Sequence, residues 1–527
     1  METNLAALLA SAAEAEGDRI AISEADSGRA VSWSVLDELA DRVAHGLSRE
    51  GMVAGYRVML AMTNRIEFVA AYLGALRAGL VAVPVNPRSA TGELIRVLTD
   101  SGARLVFTDG ATIGQVRAAT EGLGEAIEAT GEATGAVRAE LVAVATPAED
   151  GERSWDQLVA EHRPPAPARP DPEALAVLLY TSGTSGRPRA AMLSHRALLA
   201  NIEQVAAVQP PMILGRDVVL GVLPLFHVYG LNAVLGQVLR QRARLVLTDR
   251  FDPEGSLDLI EDEAISVVPV APPVIAYWMQ VPGLEDRLGP VRLVLSGSAP
   301  ISADLVGAFT RRTGLSVHQG YGLTEAAPVV TSTICSQHPN QRTVGAALPG
   351  IELELRDDRG EVPADEDDGQ IHIRGDNLFS GYWPDGADGP GEGGWYATGD
   401  VGYLDPDGDL YLVDRVKELV VVSGFNVYPS EVEDVIGELF EVEQAAVIGV
   451  ADERTGEAVV AYVKPAPDVD TATLAAVVER HCAARLAGFK RPAVVHVVEA
   501  LPHTVTGEVQ KGRLRATERR RHLGLVE

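Results

Sequence analysis

Ala174-Leu-Ala-Val-Leu-Leu-Tyr180 leads directly into Thr181-Ser-Gly-Thr-Ser-Gly186, Arg187-Pro-Arg189, a second apolar run Ala190-Ala-Met-Leu193, and Ser194. The first run has the length and apolar character of a buried strand, and the second continues as another. Ser194 is a good N-cap for a helix predicted over 195–207. The central loop therefore joins two strands. Gly183 and Gly186 let backbone amides approach a phosphate, and the hydroxyls of Thr181, Ser182, Thr184 and Ser185 add short donors. A Gly-x-x-x-x-Gly-Lys-Ser/Thr loop, which would enter a helix, is not present. By composition alone a Ser/Gly/Thr cluster is an ordinary surface turn, so the rest of the chain must decide.

On both sides of this loop the chain alternates strand-like and helix-like patterns. Apolar runs at 57–61, 81–85 and 104–107 alternate with helical periodicity over 67–78 and 91–101. Beyond the loop, runs at 244–248, 265–270 and 292–296 continue the pattern. The fold class is α/β: a large multi-layered N-terminal domain with α/β subdomains. Residues 110–149, rich in Ala, Gly, Thr and Glu, and the proline-rich connector 163–172 are expected to be peripheral. After residue 412 the composition changes at Asp414-Arg-Val-Lys417, and a compact segment of about a hundred residues follows. The expected organisation is a large domain over 1–413, a hinge over 414–417 and a small α+β domain over 418–527.

At 527 residues the chain is too long for one hydrophobic core. With 45 basic against 74 acidic residues, the net charge of −29 argues against nucleic acid or an anionic membrane surface as a partner. Only Cys335 and Cys482 are present, which provides no disulfide framework and no paired metal-ligand spacing. No basic start followed by an apolar stretch opens the chain, and no apolar run approaches the roughly 20 residues that span a bilayer. A cytoplasmic protein without stable membrane insertion is expected. No fixed-period repeat is visible.

Further motifs follow in order: Pro224-Leu-Phe-His-Val-Tyr-Gly230, Ser296-Gly-Ser-Ala-Pro300, Gly320-Tyr-Gly-Leu-Thr-Glu325, Trp395-Tyr-Ala-Thr-Gly-Asp400, Asp414-Arg-Val-Lys417 and Ser423-Gly-Phe-Asn-Val-Tyr-Pro-Ser-Glu-Val-Glu433. With the loop at 180–189, this succession resembles the adenylate-forming superfamily of acyl-CoA synthetases, luciferases and nonribosomal peptide adenylation domains. The start of the small domain is most similar to bacterial fatty acyl-CoA ligases. Each motif alone is weak, but the ordered set covers essentially the whole chain.

The resemblance implies ATP, Mg2+ and CoA as co-substrates of a small-molecule carboxylic acid. The acid first forms an acyl-adenylate with release of pyrophosphate, and a thiol then attacks the mixed anhydride. Thr181, Ser182, Gly183, Thr184, Ser185 and Gly186 are implied to grip phosphate, with Arg189 supplying charge. Gly297, Ser298 and Ala299 match the adenine-side loop, and Gly320, Tyr321 and Gly322 the nucleotide motif. Tyr321 offers an aromatic face for adenine, and Thr324 a hydroxyl for the α-phosphate. Glu325 matches the Mg2+ ligand, because a hard cation bridging phosphates favours carboxylate oxygen. Asp400 can accept both ribose hydroxyls, and Arg415 brings fixed charge beside them. Lys417 matches the hinge about which a mobile small domain turns, and Ser423, Gly424 and Phe425 the thiol tunnel for CoA. His227 is read either as a pocket or gate residue or as a satisfied core histidine. A homodimer stays open.

Two positions depart from the superfamily pattern. The loop ends Pro188-Arg-Ala190 where Pro-Lys-Gly is usual, which keeps the charge but changes its geometry. Near the C-terminus the family's Gly-Lys, which carries the catalytic lysine, is Gly507-Glu508. A carboxylate there repels both reactants and slows adenylation by several kcal/mol if it enters the site. Lys511 can substitute only if the loop register shifts, and a surface cation is the simpler reading. The segments 226–231, 268–273 and 326–330, expected to line the acyl pocket, carry no obvious cation, which favours an apolar acid. Together with Leu486-Ala-Gly-Phe-Lys-Arg-Pro492, the small-domain match leans toward a fatty acid. The alternatives are transfer of the activated acid to a carrier protein or other nucleophile, and a degenerate homologue that binds nucleotide or acyl groups without turnover.

Overall fold

The computed structural model describes residues 3–130, 138–161, 171–181, 189–357, 360–362, 368–415, 418–422, 425–452, 454–467, 469–504 and 507–522. The two apolar runs that flank the loop form strands Leu175–Thr181 and Arg189–Ser194, paired antiparallel from Leu175 opposite Ser194 to Thr181 opposite Arg189. Ser194 Oγ accepts the amide of Ala197 and caps helix His195–Ala206, a bond contributing about 1 kcal/mol.

This hairpin forms the edge of a seven-stranded sheet. Its order is Arg153–Ser154, Glu140–Val144, Leu105–Asp109, Arg57–Ala61, Val81–Pro84, Leu175–Thr181 and Arg189–Ser194, parallel throughout except for the last pair. A second seven-stranded sheet runs Val317–Gln319, Leu293–Ser296, Val267–Val270, Val218–Gly221, Arg244–Leu247, Ile20–Glu24 and Ala30–Ser32. Strands buried on both faces need helices on both faces. Trp33–Arg49, Ile66–Arg77 and His195–Ala206 supply side chains to the core between the sheets, which also takes Ile22, Val58, Leu105 and Leu245. The outer face of the first sheet is covered through Leu94, Leu98 and Val116, and that of the second through Leu257, Ile275 and Phe309. The layering is thus helix, sheet, helix, sheet, helix.

The segment 110–149 corrects one expectation. It is not peripheral: helix Ile113–Thr130 packs on the first sheet, and Glu140–Val144 is one of its strands, with Leu141 to Val144 buried. The strand Glu140-Leu-Val-Ala-Val144 is itself a short apolar run, masked in the sequence by the Ala, Gly and Thr around it.

A four-stranded antiparallel sheet, Glu352–Arg356, Gly369–Arg374, Tyr396–Leu404 and Leu410–Arg415, closes the large domain. The remaining strands form a separate mixed sheet in the order Phe425–Val427, Val420–Val422, Gly456–Pro465 and Val442–Asp452, with Val494–Val497 parallel to Gly456–Pro465. Helices Pro429–Gly437 and Thr471–Arg485 cover one face and Lys511–His522 the other. Both hydrophobic clusters of this sheet draw only on residues from 420 onward, as a smaller second domain requires. Cys335 and Cys482 are free thiols. Among the described residues no helix is long and apolar enough to cross a membrane.

Candidate active site

Four segments converge beside the hairpin. The chain at 380–383 adds itself to strand Arg189–Ser194: Ser380 N donates to Met192 O, Met192 N to Gly381 O, and Trp383 N to Ala190 O, at 2.9, 3.0 and 2.9 Å. This pairing carries Tyr382 to Glu325, whose own carbonyl accepts Phe379 N at 2.9 Å. Glu325 lies in a one-turn 3-10 helix, Thr324–Ala326, ended by Ala327 in the left-handed region at φ 62°. The carboxylate is only 9% exposed, and Tyr382 Oη donates to its Oε1 at 2.5 Å. Burial, reinforced by the Glu325 charge, raises the Tyr382 phenol well above its ordinary pKa, so it stays a donor. Phe379 meets Tyr382 and Tyr396 edge-on, with ring centroids 5.1 and 5.0 Å away.

Arg189 reaches the same cluster. Its guanidinium lies 3.7 Å from the centroid of the Tyr382 ring, and its Nη2 is 2.7 Å from Asp388 Oδ2. Thr181 Oγ1 donates to Arg189 O at 3.4 Å across the mouth of the loop. The loop itself, Ser182, Gly183, Thr184, Ser185 and Gly186, lies outside the described residues.

On the nucleotide side, Tyr321 Oη donates to Asp400 Oδ2 at 2.5 Å. Asp400 stands on strand Tyr396–Leu404 directly opposite Arg415 in the antiparallel register. The two residues that sequence assigned to ribose are therefore neighbours by backbone geometry. Gly320 and Gly322 are close-approach positions: an added Cβ would lie 2.7 Å from Thr331 O and 2.3 Å from Pro328 O. Gly297 is another, because a Cβ there would meet Tyr229 Cε1 at 3.1 Å. Ser298 adopts φ 72°, a conformation costing roughly 1–2 kcal/mol for a residue with a Cβ. Its Oγ is buried without a hydrogen-bond partner among the described residues. A buried, strained and unpartnered hydroxyl next to Ala299 suits a ligand that brings its own polar atoms.

The expected acyl segments also meet. Gly297 N donates to Val270 O at 3.3 Å, which ties the adenine-side loop to 268–270, and Asn232 Nδ2 donates to Ala327 O at 2.7 Å, which ties 326–330 to the π-helical stretch Tyr229–Gly236. His227 stands just before that stretch. Its Nδ1 accepts Tyr229 N at 3.3 Å, which leaves the proton on Nε2. Burial depresses its pKa to about 4, so the ring is neutral at pH 7.

Other assigned residues lie elsewhere. Lys511 is in the small domain, its Nζ 3.1 Å from Glu418 Oε2 and 2.9 Å from Glu433 Oε1. Lys417, Ser423 and Gly424 are outside the described residues, and of Phe425 only the backbone is described, in strand Phe425–Val427. Sequence reasoning missed Tyr382 and Asp388, and gave no role of their own to Tyr229 and Tyr396, which lie within the motifs 224–230 and 395–400. The only local signal for Tyr382 is Gly381, at φ 90°, where a Cβ would lie 2.1 Å from Gly386 O and mark a tight turn.

Sheet layering, a smaller second domain and a carboxylate–phenol cluster beside a hydroxyl-rich hairpin define an adenylate-forming enzyme of the acid–thiol ligase class. The chain belongs to the AMP-binding enzyme family: that family matches residues 9–383, and the AMP-binding enzyme C-terminal domain matches 431–508. It is 33% identical over 530 residues to 4-coumarate--CoA ligase-like 9 of Oryza sativa subsp. japonica, covering 95% of this chain and 90% of that protein. Among solved structures it resembles ATP-bound MatB from Rhodopseudomonas palustris, at 32% identity and TM-score 0.86, covering 98% and 99% of the two chains. It also resembles the Mycobacterium tuberculosis fatty acyl CoA synthetase, at 27% identity and TM-score 0.74, with 98% of each chain covered.

Proposed function

We propose that the protein joins an apolar carboxylic acid to CoA through an acyl-adenylate. The observation that carries this reading is the Glu325–Tyr382–Arg189 cluster together with the Tyr321–Asp400 pair, the Tyr396 phenol interacting electrostatically with both Glu325 and Asp400. One side is chemically suited to a polyphosphate and its counter-ion, the other to a ribose. In the first half-reaction an acid oxygen bonds to the α-phosphorus as the bond to the bridging oxygen of pyrophosphate breaks. In the second, a thiolate sulfur attacks the acyl carbon and AMP leaves.

Glu325 fits a Mg2+ ion held together with substrate phosphates. Among the described residues no group of three His, Cys, Asp or Glu side chains gathers into a metal cage, and Mg2+ is commonly bound through one or two carboxylates plus phosphate oxygens. When bound, the ion would neutralise phosphate charge, while Tyr382 orients the carboxylate. Arg189 brings a cation against the Tyr382 ring of this cluster. Tyr321 fixes the rotamer of Asp400, and His227, neutral, presents Nε2–H without adding charge to the acyl side.

The acyl segments 226–231, 268–273 and 326–330 contain His227 and the buried phenol of Tyr229 but no Lys, Arg, Asp or Glu, which supports an apolar acid, aliphatic or aryl. Glu508 stands where the family's lysine is expected, so adenylation is proposed to be the slow half. The test is mass spectrometry of products after incubation with ATP, Mg2+, CoA and a panel of aliphatic, aryl and dicarboxylic acids. Acyl-CoA and AMP from the apolar acids support the reading. Acyl-AMP accumulating without acyl-CoA points to another acceptor, and no AMP with any acid overturns ligase function.

A further inference from the structure

We propose that Lys511 is a positioning residue, whose ammonium ties the strand leaving the hinge to the hairpin that carries Glu508, so that the hairpin moves with the hinge as one piece. This rests on the two-step ligase reading above. Lys511 opens helix Lys511–His522, and its ammonium bridges Glu418 and Glu433 at 3.1 and 2.9 Å. The three side chains are 14%, 17% and 22% exposed, so the triad is largely enclosed. An exposed pair would contribute little, but removing one partner of an enclosed set leaves uncompensated charge. Without the lysine, two carboxylates would face each other.

Each partner anchors a different element. Glu418 follows residue 417 of the expected hinge and leads into strand Val420–Val422. Glu433, on helix Pro429–Gly437, also accepts Val447 N at 2.6 Å, which pins it to strand Val442–Asp452. Lys511 itself follows a hydrogen-bonded hairpin, described at 501–504 and 507–510. Thr504 N donates to Glu508 O at 2.8 Å, Glu508 N to Thr504 Oγ1 at 3.0 Å, His503 pairs with Val509, and Gln510 N donates to Pro502 O at 2.7 Å. Gly507, at φ 92°, lies against the large domain, and a Cβ there would lie 2.7 Å from Pro273 Cγ in the first turn of helix Pro272–Trp278. Described contacts therefore link Glu418, just after the expected hinge, to Lys511, and the hairpin that precedes Lys511 to Pro273 of the acyl segment 268–273. A lysine that stabilised phosphate directly would need its ammonium aimed at the nucleotide, whereas this one is held by two carboxylates of its own domain.

The experiment compares wild type, Lys511→Met and Lys511→Arg as full-length chains, first by hydrogen exchange. The Met variant should exchange faster in peptides covering 418–422 and 503–510 together, with strands Val442–Asp452 and Gly456–Pro465 still protected, and the Arg variant should restore protection. In a Glu508→Lys background, the Met change should cut ATP–pyrophosphate exchange about tenfold, the scale of losing roughly 1.4 kcal/mol of positioning, and cut acyl-CoA formation from synthetic acyl-AMP less. Unchanged exchange at 503–510 would overturn the proposal. Loosening of the whole small domain, or equal loss in both half-reactions, would also overturn it and leave a merely structural role. If no acid supports turnover, the ligase reading fails while the exchange result still decides the role of Lys511.

Discussion

Replacing Tyr321 with Phe removes one O–H and little else. The ring stays in place, because the Tyr321 amide bond to Thr331 Oγ1, 3.2 Å, belongs to the backbone. What is lost is the 2.5 Å bond to Asp400 Oδ2, the contact that fixes the proposed ribose acceptor. A hydrogen bond to a charged group contributes about 1.5–3 kcal/mol. Asp400 is half-buried, so the lower end applies; at about 1.4 kcal/mol per factor of ten, the Kd for ATP should rise about tenfold. Calorimetric titration of ATP into the full-length protein, without acid or CoA, reads this directly and does not depend on turnover. Asp400→Asn in the Tyr321→Phe background should weaken binding by less than it does alone, because the two residues act as one unit. Unchanged ATP affinity in the Phe variant would refute the assignment and make the pair purely structural.

Glu508→Lys should raise ATP–pyrophosphate exchange about a hundredfold, a conservative share of the roughly 4 kcal/mol that a unit-charge pair gains at 4 Å with an effective dielectric near 20; exchange equal to wild type would mean residue 508 stays out of the reaction. His195, 3% exposed, accepts Leu5 N at Nδ1, and burial pushes its pKa down to about 4. Between pH 6.5 and 4 the unfolded chain binds a proton that the folded one refuses, so stability falls as pH drops through that window, by about 2 kcal/mol at pH 5. Denaturation midpoints at pH 7.5 and 5.0 should therefore differ more for wild type than for His195→Asn. Gly297→Ala, on the adenine-side loop, places a carbon 3.1–3.3 Å from ring atoms of Tyr229 and should weaken ATP binding, measured by titration, and raise KM for the acid, measured by initial rates.

Much of the fold was legible because its signals are local. The helix Thr91–Ser101 follows its periodicity and ends at Gly102, φ 60°. The strands flanking the loop are apolar runs punctuated by glycine, and the Ser194 cap formed as read. Residues 110–149 were misread because the Ala, Gly, Thr and Glu that dominate the segment drew attention from Glu140-Leu-Val-Ala-Val144, a short apolar run that pairs with Leu105–Asp109. The Tyr321–Asp400 and Asp400–Arg415 neighbourhoods follow the motif order. Tyr382 did not stand out, because its place beside Glu325 arises only when 380–383 pairs with Arg189–Ser194, far away in sequence. Nor does spacing reveal that Lys511 meets Glu418 and Glu433, since those contacts come from tertiary packing of three separated elements.

The most direct measurement compares two rates on the wild-type chain: acyl-CoA formed from acid, ATP, Mg2+ and CoA, and acyl-CoA formed from synthetic acyl-AMP and CoA. With Glu508 in the proposed place of the adenylation lysine, the second rate should be much the faster. Equal rates, or no acyl-CoA from acyl-AMP, would contradict the account.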